Sequence, residues 1–394
     1  MKTSQDRILT THVGSLPRTA AVLEILERHE SGADAAEPAF EAAVQQAVAD
    51  NVKRQIEGGI DIVSDGEASK ISYATYVKDR LSGFSASGST ESAKPHADLA
   101  PFPDYRRKMA LLSGTRRFKR VACIGPVAAK PSEALAQDLQ NMRHAVSASA
   151  PTDAFLNAAS PGVVATFLPN QFYPSHHAYI EAVAEAMRTE YEAIAAAGFV
   201  LQVDCPDLAM SRHTTFQDLS ESEFLKLASL HVEALNHALA NVPADRIRMH
   251  VCWGNYEGPH NHDIDFAKIV HIILGAKPMG ISLEAANPRH EHEWTIWNTV
   301  ALPDDKVLIP GVIDTSTNYV EHPELIAQRI VRLADIVGRE RVIASTDCGF
   351  GTSAGYGKID PDIAFLKLGA LTEGASRAND ILWRSPQTSG RNPA

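Results

Sequence analysis

"YIEAVAEAMRTEYEAIAAAGFVLQVDCPD", residues 179–207, changes its period once, and that change decides the fold. From Tyr179 to Gly198 apolar residues recur at i, i+3, i+4 and i+7, the stripe of an amphipathic helix, and Gly198 suits its C-cap. From Phe199 the run turns short, apolar and β-rich, and it stops at Asp204. A helix that feeds directly into a strand ending in an acid is one unit of an alternating α/β chain.

The unit recurs along the chain. "ILTTHVGS", "IDIVSDGE", "RVACIGP", "DAFLNAASPG", "FVLQVD", "RIRMHVCW", "GISLEAAN", "KVLIPGVID" and "RVIASTDCG" each start apolar and end in polar or Gly residues. Amphipathic segments such as "HPELIAQRIVRLADIVG" (322–338) lie between them. This alternation implies a parallel sheet, and about eight units imply a closed (β/α)8 barrel of the TIM type; an open doubly wound sheet is the competing topology. Nine strand candidates are too many for eight staves, so one is a hairpin, an appendage or a misreading. Residues 81–118, rich in Gly, Ser, Ala and Pro and without a steady period, read as a long insertion after an early strand, a lid or a dimer contact. The tail "SPQTSGRNPA" reads as frayed. At 394 residues the chain fits one elaborated barrel, 1–394.

Composition narrows the partners. The apolar fraction of 44% and charged fraction of 22% are ordinary for a globular chain, and no run reaches the ~20 apolar residues of a membrane helix. The N-terminal residues lack an apolar signal region, so a cytoplasmic location is expected. A net charge of −11 with no Lys/Arg block argues against nucleic acid and anionic membranes. Small molecules are the expected partners, and a homo-oligomer is compatible with the sequence. The four cysteines are too scattered for a disulfide framework and read as buried thiols or metal ligands.

In a parallel barrel the C-terminal strand ends and the loops after them build the active site. Those ends supply Ser15, Arg18, Asp65, Glu67, Asp204, His250, Cys252, Glu284, Asp314, Asp347 and Cys348. His250 and Cys252 are two apart in a strand, so both can face one ion. With Glu284 and Cys348 at other strand ends they would fill a tetrahedral zinc shell; the alternative is that Cys348 is a buried thiol and Glu284 a salt-bridging acid. A shell with two cysteines leaves little room for a hydrolytic water but can take an incoming thiol, which points to thiol alkylation. Glu67 and Asp204 can bind a substrate ammonium group or serve as acid/base. Arg18 and Arg289 can pair with a carboxylate or sulfonate. "NPRHEHEW" (287–294) offers Arg289, His290, His292 and Glu293 right after Glu284; its histidines can brace the ligands from behind or open a solvated helix, the latter favoured for His292, while "GPHNHD" (258–263) reads as a polar loop and "QFYPSHHAY" (171–179) as a stretch of pocket wall.

Taken together, "TTHVGSLPR", "GIDIVSDGE", "LQVDCPDLA", "RMHVCWG", "ISLEAANPRHEHEW", "PGVID" and "ASTDCGFG" resemble, in order, the motifs of the cobalamin-independent methionine synthase superfamily. The wording is most similar to short single-barrel members such as epoxyalkane:coenzyme M transferase. The resemblance implies zinc held by His250, Cys252, Glu284 and Cys348, and transfer of a methyl or alkyl group to a small thiol. It also implies that Glu67 and Asp204 hold the amino group of homocysteine and that Ser15 contacts the same substrate. Two departures stand out: the chain is too short for the second barrel through which methionine synthases bind methylfolate, and Ser316 in "IDTSTNY" stands where those enzymes carry a histidine that protonates the leaving amine. Asp314 and Ser316 remain as catalytic candidates. The competing readings are a barrel with purely structural zinc and a zinc-dependent lyase or hydrolytic enzyme.

Overall fold

The computed structural model describes residues 1–31, 37–86, 96–112, 121–131, 133–355 and 359–383. The described chain contains ten strands: β1 Leu9–Thr10, β2 Ile62–Ser64, β3 Phe84–Ser85, β4 Ala122–Cys123, β5 Asp153–Ala159, β6 Val200–Asp204, β7 Ile247–Val251, β8 Gly280–Leu283, β9 Val307–Ile313 and β10 Ile343–Thr346. Eight of them form one sheet in the order β1-β10-β9-β8-β7-β6-β5-β2, with every printed pairing parallel. The remaining seam, β1 to β2, is bridged by the Asp61 amide on the Thr10 carbonyl (3.1 Å) and the Thr11 hydroxyl on the Ile62 carbonyl (2.9 Å). The result is a (β/α)8 barrel.

The surplus ninth strand candidate is "RVACIGP". Its residues Ala122 and Cys123 pair antiparallel with β3 in a separate two-stranded sheet outside the barrel, β3 lying within the expected 81–118 insertion and β4 just past its end. The described part of that insertion continues through a turn at 97–101 and the helix Pro103–Leu112; residues 87–95 and 113–118 of the expected lid, and the expected frayed tail, lie outside the described residues. The helix read from residues 179–198 runs His176–Ala196 and is capped by the Ser175 side chain. The one read from 322–338 runs Pro323–Val337 and ends where Gly338 takes φ +95°, a left-handed conformation that suits glycine.

Strand alternation sorts the barrel interior into layers. Leu9, Ile62, Phe155, Val200, Val307, Ile309 and Ile343 form an apolar floor, with Met1 and Met279 packed against it. Above it lies Arg248, buried with its guanidinium 3.5 Å from the Phe155 ring centroid and hydrogen bonded to the Gln202 side chain, the Thr11 hydroxyl and the His12 carbonyl. Gly280 makes room for it, since a Cβ there would sit 2.7 Å from Arg248 Cβ. One step further along the same strands, two residues on, come Asp204 and His250, which are register partners. These layers set the height at which the site begins.

Candidate active site

A cavity of about 920 Å³ opens at the C-terminal ends of the strands. Its walls include Ser15, Glu67, Asp204, His250, Cys252 and Cys348, six of the residues singled out from sequence. His250 and Cys252 share the inward parity of Arg248, so the alternation that buries the arginine aims the imidazole and thiol into the cavity. Ligand atoms of His250, Cys252 and Cys348 lie within 4.8 Å of one another. The Cys348 thiol stands 3.5 Å from His250 Nε2 and 3.5 Å from Glu284 Oε1, which brings the fourth expected ligand beside one of the other three.

Each of these groups is held from behind. His250 Nδ1 pairs with the Ser282 hydroxyl at 3.1 Å, leaving Nε2 toward the thiols. Glu284 accepts from the Trp253 amide (2.9 Å) and from the Asn287 side chain (2.7 Å). Asp347 accepts from the backbone amides of Ala285, Ala286 and Asn287, so it braces the loop that follows Glu284. Gly311 permits that brace, because a Cβ there would lie 2.2 Å from Asp347 Oδ1.

Burial dominates the electrostatics. It pushes Asp347 up to about 8, with Glu284 beside it adding to the shift. Glu284 is raised for the same primary reason, and the Cys348 thiol lies well above its usual range through burial and the neighbouring Cys252. His250 is pushed down to about 3, so its ring is neutral. Among the described residues no Lys or Arg pairs with any of the four donors. One imidazole, two thiols and one carboxylate, buried and lacking a cation, are a donor set that fits a zinc-class ion.

A second group faces the same cavity. Glu67 sits in a tight turn with φ +54° after Gly66 at φ +72°; Asp65 Oδ1 accepts its amide at 2.9 Å. Its Oε2 is buried without a hydrogen-bond partner. Burial and the nearby Asp204 carry Glu67 up to about 8, Lys70 opposing them. Asp204, raised by burial to about 6, accepts from Asn157 and Gln202 side chains. Tyr73 lines the cavity; burial holds its hydroxyl well above the usual range, and the neighbouring Cys252, Asp204 and Cys348 add to the shift.

Other expectations need correcting. Arg18 does not present its guanidinium to a ligand: it donates to the carbonyls of Glu67, Lys70 and Gly351 at 2.7 Å each, clamping the Glu67 turn to the loop after β10. Arg289 is exposed and outside the cavity wall. Asp314 and Ser316 are also off the wall; the Ser316 hydroxyl and amide both donate to Asp314 Oδ1, closing a turn on itself. Cys123 and Cys205 are buried thiols that donate to backbone carbonyls. His290 and Glu293 form a hydrogen-bonded pair behind Trp253, on which the His290 ring stacks at 4.1 Å, while His292 is exposed. Gln171 and His176 do stand in the cavity wall, as "QFYPSHHAY" suggested. His176 Nε2 meets His231 Nε2 at 2.9 Å, and His231 Nδ1 meets Asp207 at 2.8 Å, a relay that no sequence spacing announces.

Comparison with known proteins identifies the family of the chain. The model of the family described as "Cobalamin-independent synthase, Catalytic domain" matches residues 8–97 and 157–359. A methionine synthase of Saccharolobus islandicus is 23% identical over 380 residues, spanning 95% of this chain and 96% of its own. A methionine synthase of Sulfolobus acidocaldarius is 23% identical over 341 residues, spanning 86% and 85%. The structure of a B12-independent methionine synthase from Shewanella sp. W3-18-1, in complex with selenomethionine, superposes with a TM-score of 0.70 at 19% identity, covering 95% of this chain and 99% of that one, which is a likeness of fold.

Proposed function

Because the chain belongs to the cobalamin-independent synthase family, we propose that it is a transferase that moves a methyl or alkyl group onto the sulfur of a small thiol bearing an amino group, homocysteine being the first candidate. One observation carries this reading: two thiols and an imidazole share a single cavity with two further buried acids, one with an unpartnered oxygen, and Glu284 stands 3.5 Å from one of those thiols.

Zinc held by His250, Cys252, Glu284 and Cys348 would supply the Lewis acidity that lowers an incoming thiol's pKa and keeps its sulfur nucleophilic at neutral pH. The rest is the work of the chain. Ser282 fixes the His250 ring so that Nε2 points inward. Glu67 and Asp204 receive the substrate's ammonium group; a cation beside Glu67 offsets the burial that holds it near 8, so carboxylate and substrate charge stabilise each other. Arg18 keeps the Glu67 turn in place from behind. The cavity lies at the upper end of ordinary ligand-pocket sizes, enough for a thiol and a second substrate together.

The charge of the walls favours an amino thiol over a sulfonate thiol such as coenzyme M. Arg18 is spent on backbone carbonyls, Arg289 lies outside, and among the described residues the wall's arginine is Arg106, exposed at the rim. The test is a screen of zinc-loaded protein with homocysteine, coenzyme M and glutathione against methylfolate, methylsulfonium compounds and epoxides. Turnover with homocysteine is expected. Turnover with coenzyme M alone, or product formation without any thiol, would overturn the reading.

A further inference from the structure

Eleven buried side-chain atoms lack a hydrogen-bond partner among the described residues, and five of them belong to four neighbouring residues: His96 Nδ1, Asp98 Oδ1, His213 Nδ1 and Nε2, and Asp263 Oδ1. Buried polar atoms without partners are rare in folded chains, and a group of them at one place calls for a partner from outside the chain's own hydrogen bonds, water or ion.

The four residues come from three loops at the barrel mouth. His96 and Asp98 belong to the insertion, His213 to the loop after β6, and Asp263 to the loop after β7. The Ala97 amide donates to the His213 carbonyl at 2.8 Å, which docks the insertion on the β6 loop. His213 is 1% exposed and Asp98 is fully buried. Ligand atoms of His96, Asp98 and His213 lie within 4.8 Å of one another.

The neighbouring cluster of His260, Asp263 and His290 is different in kind. His260 pairs with Asp263 and the Tyr256 carbonyl, and His290 with Asp263 and Glu293, so all four of those ring nitrogens are engaged. This leaves Asp263 Oδ1 facing His213 Nδ1 at 3.2 Å, without hydrogen-bond alignment. A carboxylate behind one ring nitrogen is how a ligating histidine is oriented, with the other nitrogen presented to the ion.

We propose that His96, Asp98 and His213 form a second metal site, for a divalent first-row transition ion, with Asp263 as the positioning residue of His213. Two imidazoles and one carboxylate are a recurrent ligand set for such ions, and the remaining positions are left open to exchange. His96 also lines the main cavity, so the ion stands at the mouth through which substrates pass. Burial lowers both His96 and His213, the latter to about 4, which keeps the rings neutral with lone pairs free. Bound there, the ion ties the insertion to the loops after β6 and β7.

The test separates this site from the thiol site. The Cys252→Ser, Cys348→Ser double variant is stripped with a chelator and dialysed against Zn2+ or Co2+; metal is then counted and its K-edge absorption recorded. About one ion per chain with only nitrogen and oxygen neighbours is expected. His213→Ala in that background is expected to abolish it, and Asp263→Asn to weaken it about 10- to 100-fold. A double variant that binds no ion, or binding that survives His213→Ala, overturns the proposal. Should the double variant fail to fold, the wild-type chain gives the same answer: His96→Gln is expected to lower its metal count by one, and an unchanged count overturns the proposal.

Discussion

Two levels of one barrel interior treat buried polar groups in opposite ways. At the lower level Arg248 is buried, yet the Gln202 side chain, the Thr11 hydroxyl and the His12 carbonyl each accept from it. One step of alternation higher, His250, Cys252 and Cys348 converge with Glu284 beside Cys348; among the described residues no Lys or Arg pairs with them, and Glu67 Oε2 has no partner. The strands are the same and the burial is the same. What differs is saturation: polar groups that complete one another hold a structure, and polar groups left incomplete under equal burial wait for a ligand.

The contrast can be broken at either level. Removing one thiol should cost most: in Cys348→Ser, bound zinc is expected to be lost and turnover to fall about a thousandfold or more, ~4 kcal/mol of barrier, while circular dichroism stays that of a folded barrel. Retained zinc with full activity would place the chemistry elsewhere. At the saturated level the damage should be to stability instead. Arg248→Met strands three acceptors and should lower unfolding free energy by roughly 3 kcal/mol, read by denaturant titration, because each buried unsatisfied group costs about 1–3 kcal/mol.

Glu67→Gln is expected to raise KM for an amino thiol about 10- to 100-fold, matching the ~1.5–3 kcal/mol of a hydrogen bond to a charged group, and to leave KM for a thiol without an amino group unchanged. The same residue sets a pH dependence. Its folded value near 8 lies above the ordinary 4.5, so the folded chain keeps a proton that the unfolded chain has released. Its contribution to stability is therefore full below about 4.5 and is lost as pH rises to about 8. Melting temperature of the metal-free protein should fall across that window, and Glu67→Gln should flatten the fall. The smallest effect is expected from Ser316→Ala, within about twofold in kcat, since its hydroxyl only closes the Asp314 turn; surface changes of this kind stay within about 0.5 kcal/mol. A large loss of kcat there would return that turn to the chemistry.

The barrel was legible because helix and strand periods alternate without ambiguity from Tyr179 onward, and His250 and Cys252 were legible because two-residue spacing fixes a shared face. Parity also explains what misled. Val307 and Ile309 point to the floor, which puts Asp314 on the other parity of β9, so a strand end is not by itself a place in the cavity. Arg18 could not be read because its three acceptors, at 67, 70 and 351, meet only in the folded chain. "RVACIGP" has the composition of a stave, and only its antiparallel partner at Phe84–Ser85 sets it outside. Tyr73, His96 and His213 went unseen as site residues because they stand in aperiodic loops whose approach depends on the insertion's path.

The central claim is that the upper level holds an ion through two thiols, an imidazole and a carboxylate and offers it to a substrate sulfur. Zinc K-edge absorption of the loaded wild-type protein, recorded with and without homocysteine, addresses it most directly. The account expects sulfur neighbours at the metal before addition and a higher sulfur count after it, with both lost in Cys252→Ser, Cys348→Ser. A spectrum without sulfur, or one that homocysteine leaves unchanged, would contradict it.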